Sequence, residues 1–238
     1  MPGVYAWTTA YKGGFNERQV LMAGLVTLWG LRLTFNFARK GGYTWPPWGG
    51  EEDYRWPVLR KNPLFGNPIV WFLFNLFFIS FYQSYLIMGF TLPMLLTIQD
   101  EPTPIGPIDY LGTALVLAFL TLETVADEQQ WKFQQEKKRQ IASGKGLKEP
   151  YNVGFIRSGV WAISRHPNYF GEQAIWVSFY VFSIAATGRV INWSLIGSLL
   201  LVLLFQGSAN FSEEITAGKY PAYKEYQKTT AKFIPYLV

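Results

Sequence analysis

The chain has 238 residues, 50% hydrophobic and 18% aromatic, with a formal net charge of +5 and no cysteine. Lacking cysteine, it can form no disulfide, thiolate metal site or cysteine nucleophile, and a single histidine among scattered carboxylates is no transition-metal set, so no metal is expected. The basic excess contains no recognisable nucleic-acid module, so nucleic acid is not an expected partner.

Residues 1–19 are polar and aromatic with no apolar run before a small-residue cleavage site, so the first span is expected to do its own targeting. Apolar residues then arrive in blocks, which points to lipid rather than to a water-soluble core. A crossing needs roughly 20 mostly apolar residues. Five stretches come close: Val20–Ala38, Ile69–Ile98, Ile105–Ala126, Tyr169–Thr187 and Ile191–Ala209. The second is too long for one straight helix and predicts a strong tilt or a break near Leu92 and Pro93, where proline removes a backbone donor. The expected fold is therefore an all-α polytopic transmembrane bundle forming one membrane domain, with about five spans and a range of four to six.

Lysine and arginine are unevenly spread. Residues 32–61 hold six, 132–165 hold eight and 219–232 hold four of the 21, whereas the connections at 99–109 and 188–192 hold three acids and one arginine. With five spans these two sets fall on opposite faces. The basic loops and the C-terminus then lie on the cytoplasmic or matrix side. An endoplasmic reticulum, mitochondrial inner or bacterial plasma membrane would each satisfy that pattern. Membrane lipids are expected partners, attracted where anionic by Lys137, Lys138 and Arg139.

Three segments carry polar groups suited to chemistry. Glu123, Asp127, Trp131 and Gln134 recur at helical spacing, so the third span ends with acids on one face; acids at that depth face a cavity or a partner, or else pair with cations at the headgroup level. The loop 143–164 is spaced with Gly144, Gly146, Gly154 and Gly159 and carries Arg157, yet matches neither usual nucleotide fingerprint. The densest cluster is 164–172, read SRHPNYFGE, with the only histidine. Pro167 pushes His166 out of helical conformation and starts the fourth span, and Ser164 or Asn168 could cap its free donors. Beside that helix start, Arg165 and His166 offer cations to an anion, and Glu172 points toward the bundle interior.

SRHPNYFGE resembles the signature of an integral-membrane family of bacterial and eukaryotic proteins of unknown function related to steroid 5α-reductases and sterol reductases. LWGLRL at 28–33, GEEDYRW at 50–56, ETVADEQQWKF at 123–133 and the closing Tyr223, Tyr226, Thr229, Phe233, Ile234 and Pro235 are similar to the same family, so the resemblance spans 28–238. It implies a helical-bundle reductase that takes hydride from NADPH and reduces an activated carbon–carbon double bond in a lipid-soluble, sterol-like substrate. Asp127, Asn168 and Glu172 match cofactor-contacting positions, with Glu123 at another; Arg165 and His166 belong to the sterol-reductase form of the motif, and Arg157 is grouped with them on the cofactor side.

The chain departs from that family in three places. Trp29, Gly30, Leu31 and Arg32 stand where relatives carry a tyrosine near a His-Arg pair, which leaves Tyr54 and Tyr169 as the named catalytic candidates. Residues 210–214 read Asn, Phe, Ser, Glu, Glu where relatives carry histidines. The chain also begins close to LWGLRL, so one or two opening helices of many relatives are expected to be missing. Two other readings compete. An isoprenylcysteine-type methyltransferase would share the Arg-His-Pro run but use S-adenosylmethionine. A non-catalytic subunit of a larger membrane complex, for example a respiratory one, would keep the fold and meet other subunits through tryptophans such as Trp7, Trp45, Trp48 and Trp56.

Overall fold

A computed structural model describes residues 2–46, 49–50, 52–144 and 146–237, so Trp48 of the surface tryptophans and Glu51 of GEEDYRW lie outside the described residues. The described residues are helical with no strand; the one extended contact is an isolated parallel bridge between Ser164 and Ala231. In chain order the helices are α1 (Pro2–Lys12), α2 (Glu17–Arg39), α3 (Arg55–Leu59), α4 (Pro68–Phe74), α5 (Gln83–Thr91), α6 (Pro107–Ala142), α7 (Pro167–Thr187), α8 (Leu195–Lys219) and α9 (Tyr223–Thr229).

Four helical runs are long and apolar enough to cross a membrane: Glu17–Arg39, Pro68–Thr97, Pro107–Ala142 and Leu195–Lys219. The chain is an integral membrane protein. The remaining stretch, fourth in chain order, is the 21-residue α7, long enough to cross but outside that apolar set. Its opening turns carry Asn168, Glu172 and Gln173, which dilute its hydropathy.

Pro93 does not divide the second run. From α4 the chain passes through a π-helical segment, Asn75–Tyr82, into α5 and then tightens into a 3-10 helix at Leu92–Thr97, with Pro93 at its start where a missing N–H leaves no bond unmade. Helical geometry is thus unbroken from 68 to 97. The opening helix α1 buries Ala6, Thr9 and Ala10.

The chain resolves into two compact units. Unit 1 comprises Met1–Val116 and Trp176–Val202; unit 2 comprises Leu117–Ile175 and Leu203–Val238. In unit 1, Trp29, Phe90 and Trp176 form an aromatic knot, with the Trp29 and Trp176 rings 4.9 Å apart edge to face and Phe90 3.9 Å from Trp176. The Arg18 guanidinium, buried at the start of α2, donates from Nε to Asp109 Oδ1 at 2.7 Å and from a terminal nitrogen to Oδ2 at 2.9 Å, and meets Thr103 and Pro104 besides. A buried ion survives only with such full pairing.

Unit 2 holds most of the polar chemistry. At 1.5 Å per residue α6 runs about 54 Å, well past the roughly 30 Å hydrocarbon core. Its second half packs Ala126 and Phe133 against Ile156 and Trp161 of the following loop. Phe155 joins Tyr223 and Tyr226 of α9 in a second cluster.

Candidate functional site

Within unit 2 the start of α7 lies against the acidic face of α6. Pro167 is the first residue of α7, so His166 stands outside the helix, and the Ser164 Oγ accepts from the His166 N–H at 3.3 Å. One turn on, Gly171 faces α6. A Cβ there would lie 2.8 Å from the Glu123 Cβ and 3.2 Å from its backbone, so glycine is what permits this approach. Phe119 and Phe170 meet edge to face at 5.6 Å beside the same crossing.

Above Gly171 the polar residues meet. Asn168 Nδ2 donates to Asp127 Oδ1 at 3.3 Å, joining residues 41 apart in sequence. The Asn168 Oδ1 is buried and has no hydrogen-bond partner among the described residues. Gln130, three residues beyond Asp127 on α6, has a buried Oε1 in the same condition. Glu123 is 6% exposed. This side of the crossing is therefore rich in acceptors.

A second constellation forms around Glu213 of α8. Arg165 Nε donates to Glu213 Oε1 at 2.7 Å, His166 Nε2 lies 2.9 Å from the same oxygen, and Gln227 Nε2 donates to Oε2 at 2.7 Å. Arg165 also donates to the Gln227 carbonyl at 2.8 Å and to that of Thr230, and its backbone N–H donates to the Ala231 carbonyl at 2.8 Å. Nine-tenths of Arg165 and Glu213 is out of water. Arg165 and His166, expected to flank an anion, both meet a carboxylate 48 and 47 residues away, and a buried guanidinium requires such a charge partner. The C-terminal segment is thereby fastened to the start of α7. Tyr226 completes the fastening, donating its hydroxyl to the carbonyls of Trp161 and Ser164, and burial pushes its phenol above the ordinary range.

The remaining named residues are placed as follows. Tyr169 stacks on His166, rings 5.2 Å apart, and meets Phe205 edge to face at 4.8 Å. Glu172 is half-buried, and Arg157 is exposed in the loop. Tyr54 is exposed and precedes α3 in unit 1, so it does not belong to the unit that holds the other candidates. Sequence reasoning passed over Glu213 and Gln227. The signal for the former was two adjacent acids, Glu213 and Glu214, at the end of an otherwise apolar helix, facing an unbalanced Arg165-His166 pair.

A family model described as "Protein of unknown function (DUF1295)" matches residues 1–230. An uncharacterized protein of Schizosaccharomyces pombe is 35% identical over 240 residues, which cover 95% of this chain and 67% of that relative. No solved structure matches.

Proposed function

We propose that this chain, which belongs to the DUF1295 family, is a membrane-embedded, NADPH-dependent reductase of an activated carbon–carbon double bond in a lipid-soluble, sterol-like substrate. The observation that carries this reading is the α6–α7 crossing, where Asn168 and Asp127 meet and a buried Asn168 Oδ1 awaits a donor. The likeness of SRHPNYFGE to steroid and sterol reductases supplies the reaction class.

The donor set fits a dinucleotide. Its carboxamide, ribose hydroxyls and adenine amine are all donors, and this face offers acceptors: Asn168 Oδ1, Asp127, Glu123 and Glu172. Arg157 is the exposed cation available to a phosphate, whereas Arg165 and His166 are engaged by Glu213. When bound, NADPH supplies the hydride. The protein's own part is to hold, orient and exclude water, with the Tyr169 hydroxyl as the proton source and the exposed Tyr54 the lesser choice.

The test is thermal unfolding of the purified full chain in detergent with NADPH or S-adenosylmethionine. NADPH is expected to raise the midpoint by mass action. Asn168→Ala is expected to weaken that effect about tenfold in apparent affinity, the size of one hydrogen bond to a buried group. Gly171→Ala, which wedges α7 off Glu123, should weaken it at least as much. Stabilisation by S-adenosylmethionine alone would move the assignment to a methyltransferase; a response to neither, with stoichiometric membrane partners copurifying, would move it to an accessory subunit.

The orientation set by basic charge is part of the same proposal. Because the natural chain has no cysteine, single cysteines are clean reporters. A Ser143→Cys chain in sealed vesicles should react with a membrane-impermeant maleimide only after the cytoplasmic or matrix face is opened, and labelling from the opposite face would reverse the topology.

A further inference from the structure

Apart from the α6–α7 crossing, unit 2 gathers a separate set of donors where α6 and α8 end. Lys137 Nζ donates to the Gly154 carbonyl at 2.6 Å and to the Tyr220 hydroxyl at 2.9 Å. Lys219 approaches the same side chain from the end of α8. Both ammonium groups also lie over the Tyr220 ring, 4.9 and 5.3 Å from its centroid. The ring in turn rests on Gly154, whose left-handed backbone (φ +87) leaves no space for a side chain, since a Cβ would meet the ring Cε1 at 2.1 Å. Lys137 and the Tyr220 ring are held against the loop, with the exposed Lys219 beside them.

Two like charges brought to one ring repel each other. Among the described residues no carboxylate forms an ion pair with Lys137 or Lys219; the neighbouring pairs are Lys132 with Glu128, Arg139 with Glu136, and Lys228 with Glu225. Nor does Tyr220 neutralise them as a phenol. Its oxygen accepts from Lys137, and its own hydrogen is left to donate. No acceptor for that hydrogen is found among the described residues. Burial raises the Tyr220 phenol, but the hydrogen bonds and charges of the two lysines outweigh it and hold the group below its ordinary value. Three groups with N–H or O–H hydrogens to spare thus converge with a net positive field and, among the described residues, no carboxylate partner. A tetrahedral oxyanion with several acceptor oxygens satisfies all three.

We propose that Lys137, Lys219 and Tyr220 form a binding site for a phosphate monoester, carried either by an anionic lipid headgroup or by a soluble molecule. The site stands on residues other than those of the reductase reading and does not depend on it. Its position suits a headgroup, because both lysines lie where membrane-crossing helices continue into the basic segments.

The test titrates the full chain in neutral detergent with short-chain phosphatidic acid, inorganic phosphate and, as the uncharged-headgroup control, phosphatidylcholine. Phosphatidic acid is expected to bind and phosphatidylcholine not. Tyr220→Phe keeps the ring on Gly154 but removes the hydroxyl, and Lys219→Met removes one cation; each should weaken binding about tenfold with unchanged thermal midpoint. Lys224→Met removes an equal charge from the nearby surface and should change affinity less than about twofold. Competition by inorganic phosphate marks a site that accepts soluble monoesters, and its absence assigns the site to lipid. Failure of both probes to bind, or an equal loss in Lys224→Met, would overturn the proposal.

Discussion

Glu213→Ala is expected to lower the stability of the chain by about 3–5 kcal/mol, the range for removing one partner of a buried ion pair. Arg165 would lose both contacts to the carboxylate, and His166 and Gln227 would each lose a partner. The guanidinium is 10% exposed, so water cannot substitute. The carbonyls of Gln227 and Thr230 remain as acceptors, but neutral dipoles do not replace a charge. Because those carbonyls belong to the C-terminal segment, its attachment to the start of α7 should loosen too. Two readouts check this: the unfolding midpoint in mixed micelles, and protease cleavage between 223 and 237, which should accelerate. Glu213→Gln keeps an acceptor and the shape, and should fall between wild type and alanine. Replacing Arg165 and Glu213 together by methionine and leucine should recover much of the loss. Alanine and wild type unfolding alike would show that the pair contributes nothing.

Gly197→Ala should be damaging for a different reason, at or above the upper end of the roughly 1–3 kcal/mol usual for overpacking. A Cβ at Gly197 would lie 2.0 Å from the Gly89 carbonyl carbon and 2.1 Å from its oxygen. Those atoms are backbone, and no rotamer change can relieve the clash. Small residues at such crossings are the ordinary means by which membrane helices approach, since lipid removes the hydrophobic drive between them. The reverse substitution is informative: a Cβ at Gly89 would meet only the Gly197 Cα, at 3.4 Å, so Gly89→Ala is expected to be far milder. Equal unfolding midpoints for the two alanine variants would contradict the asymmetry. Gly24, with nothing within 4 Å of an added Cβ, is the control within α2.

Much of the candidate site could be read before any coordinates. The spacing of Glu123, Asp127 and Trp131 placed the acids on one face of α6, and Pro167 marked where α7 begins. Their meeting across Gly171 was a condition that the site required, and the geometry meets it. Other parts were illegible. Arg18 lies outside the three basic segments, and nothing local shows that it is buried against Asp109, 91 residues on. Gly197 reads as one more small residue in an apolar run. Arg165 and His166 read as cations free for an anion, because nothing local names a partner 47 or 48 residues on.

The amino-acid sequence by itself determined that this chain is helical, crosses a membrane repeatedly and carries its basic charge unevenly. Each of these properties depends on a residue's own transfer energy and on neighbours within a turn or two, which is local information. Only the tertiary structure decided which charges are paired with a carboxylate inside and which lie over an aromatic ring: Arg165 is paired with Glu213, while Lys137 and Lys219 converge on Tyr220. That outcome depends on which helix faces which and how closely glycines let them approach, and Coulomb energy falls off with a distance that hydropathy does not encode.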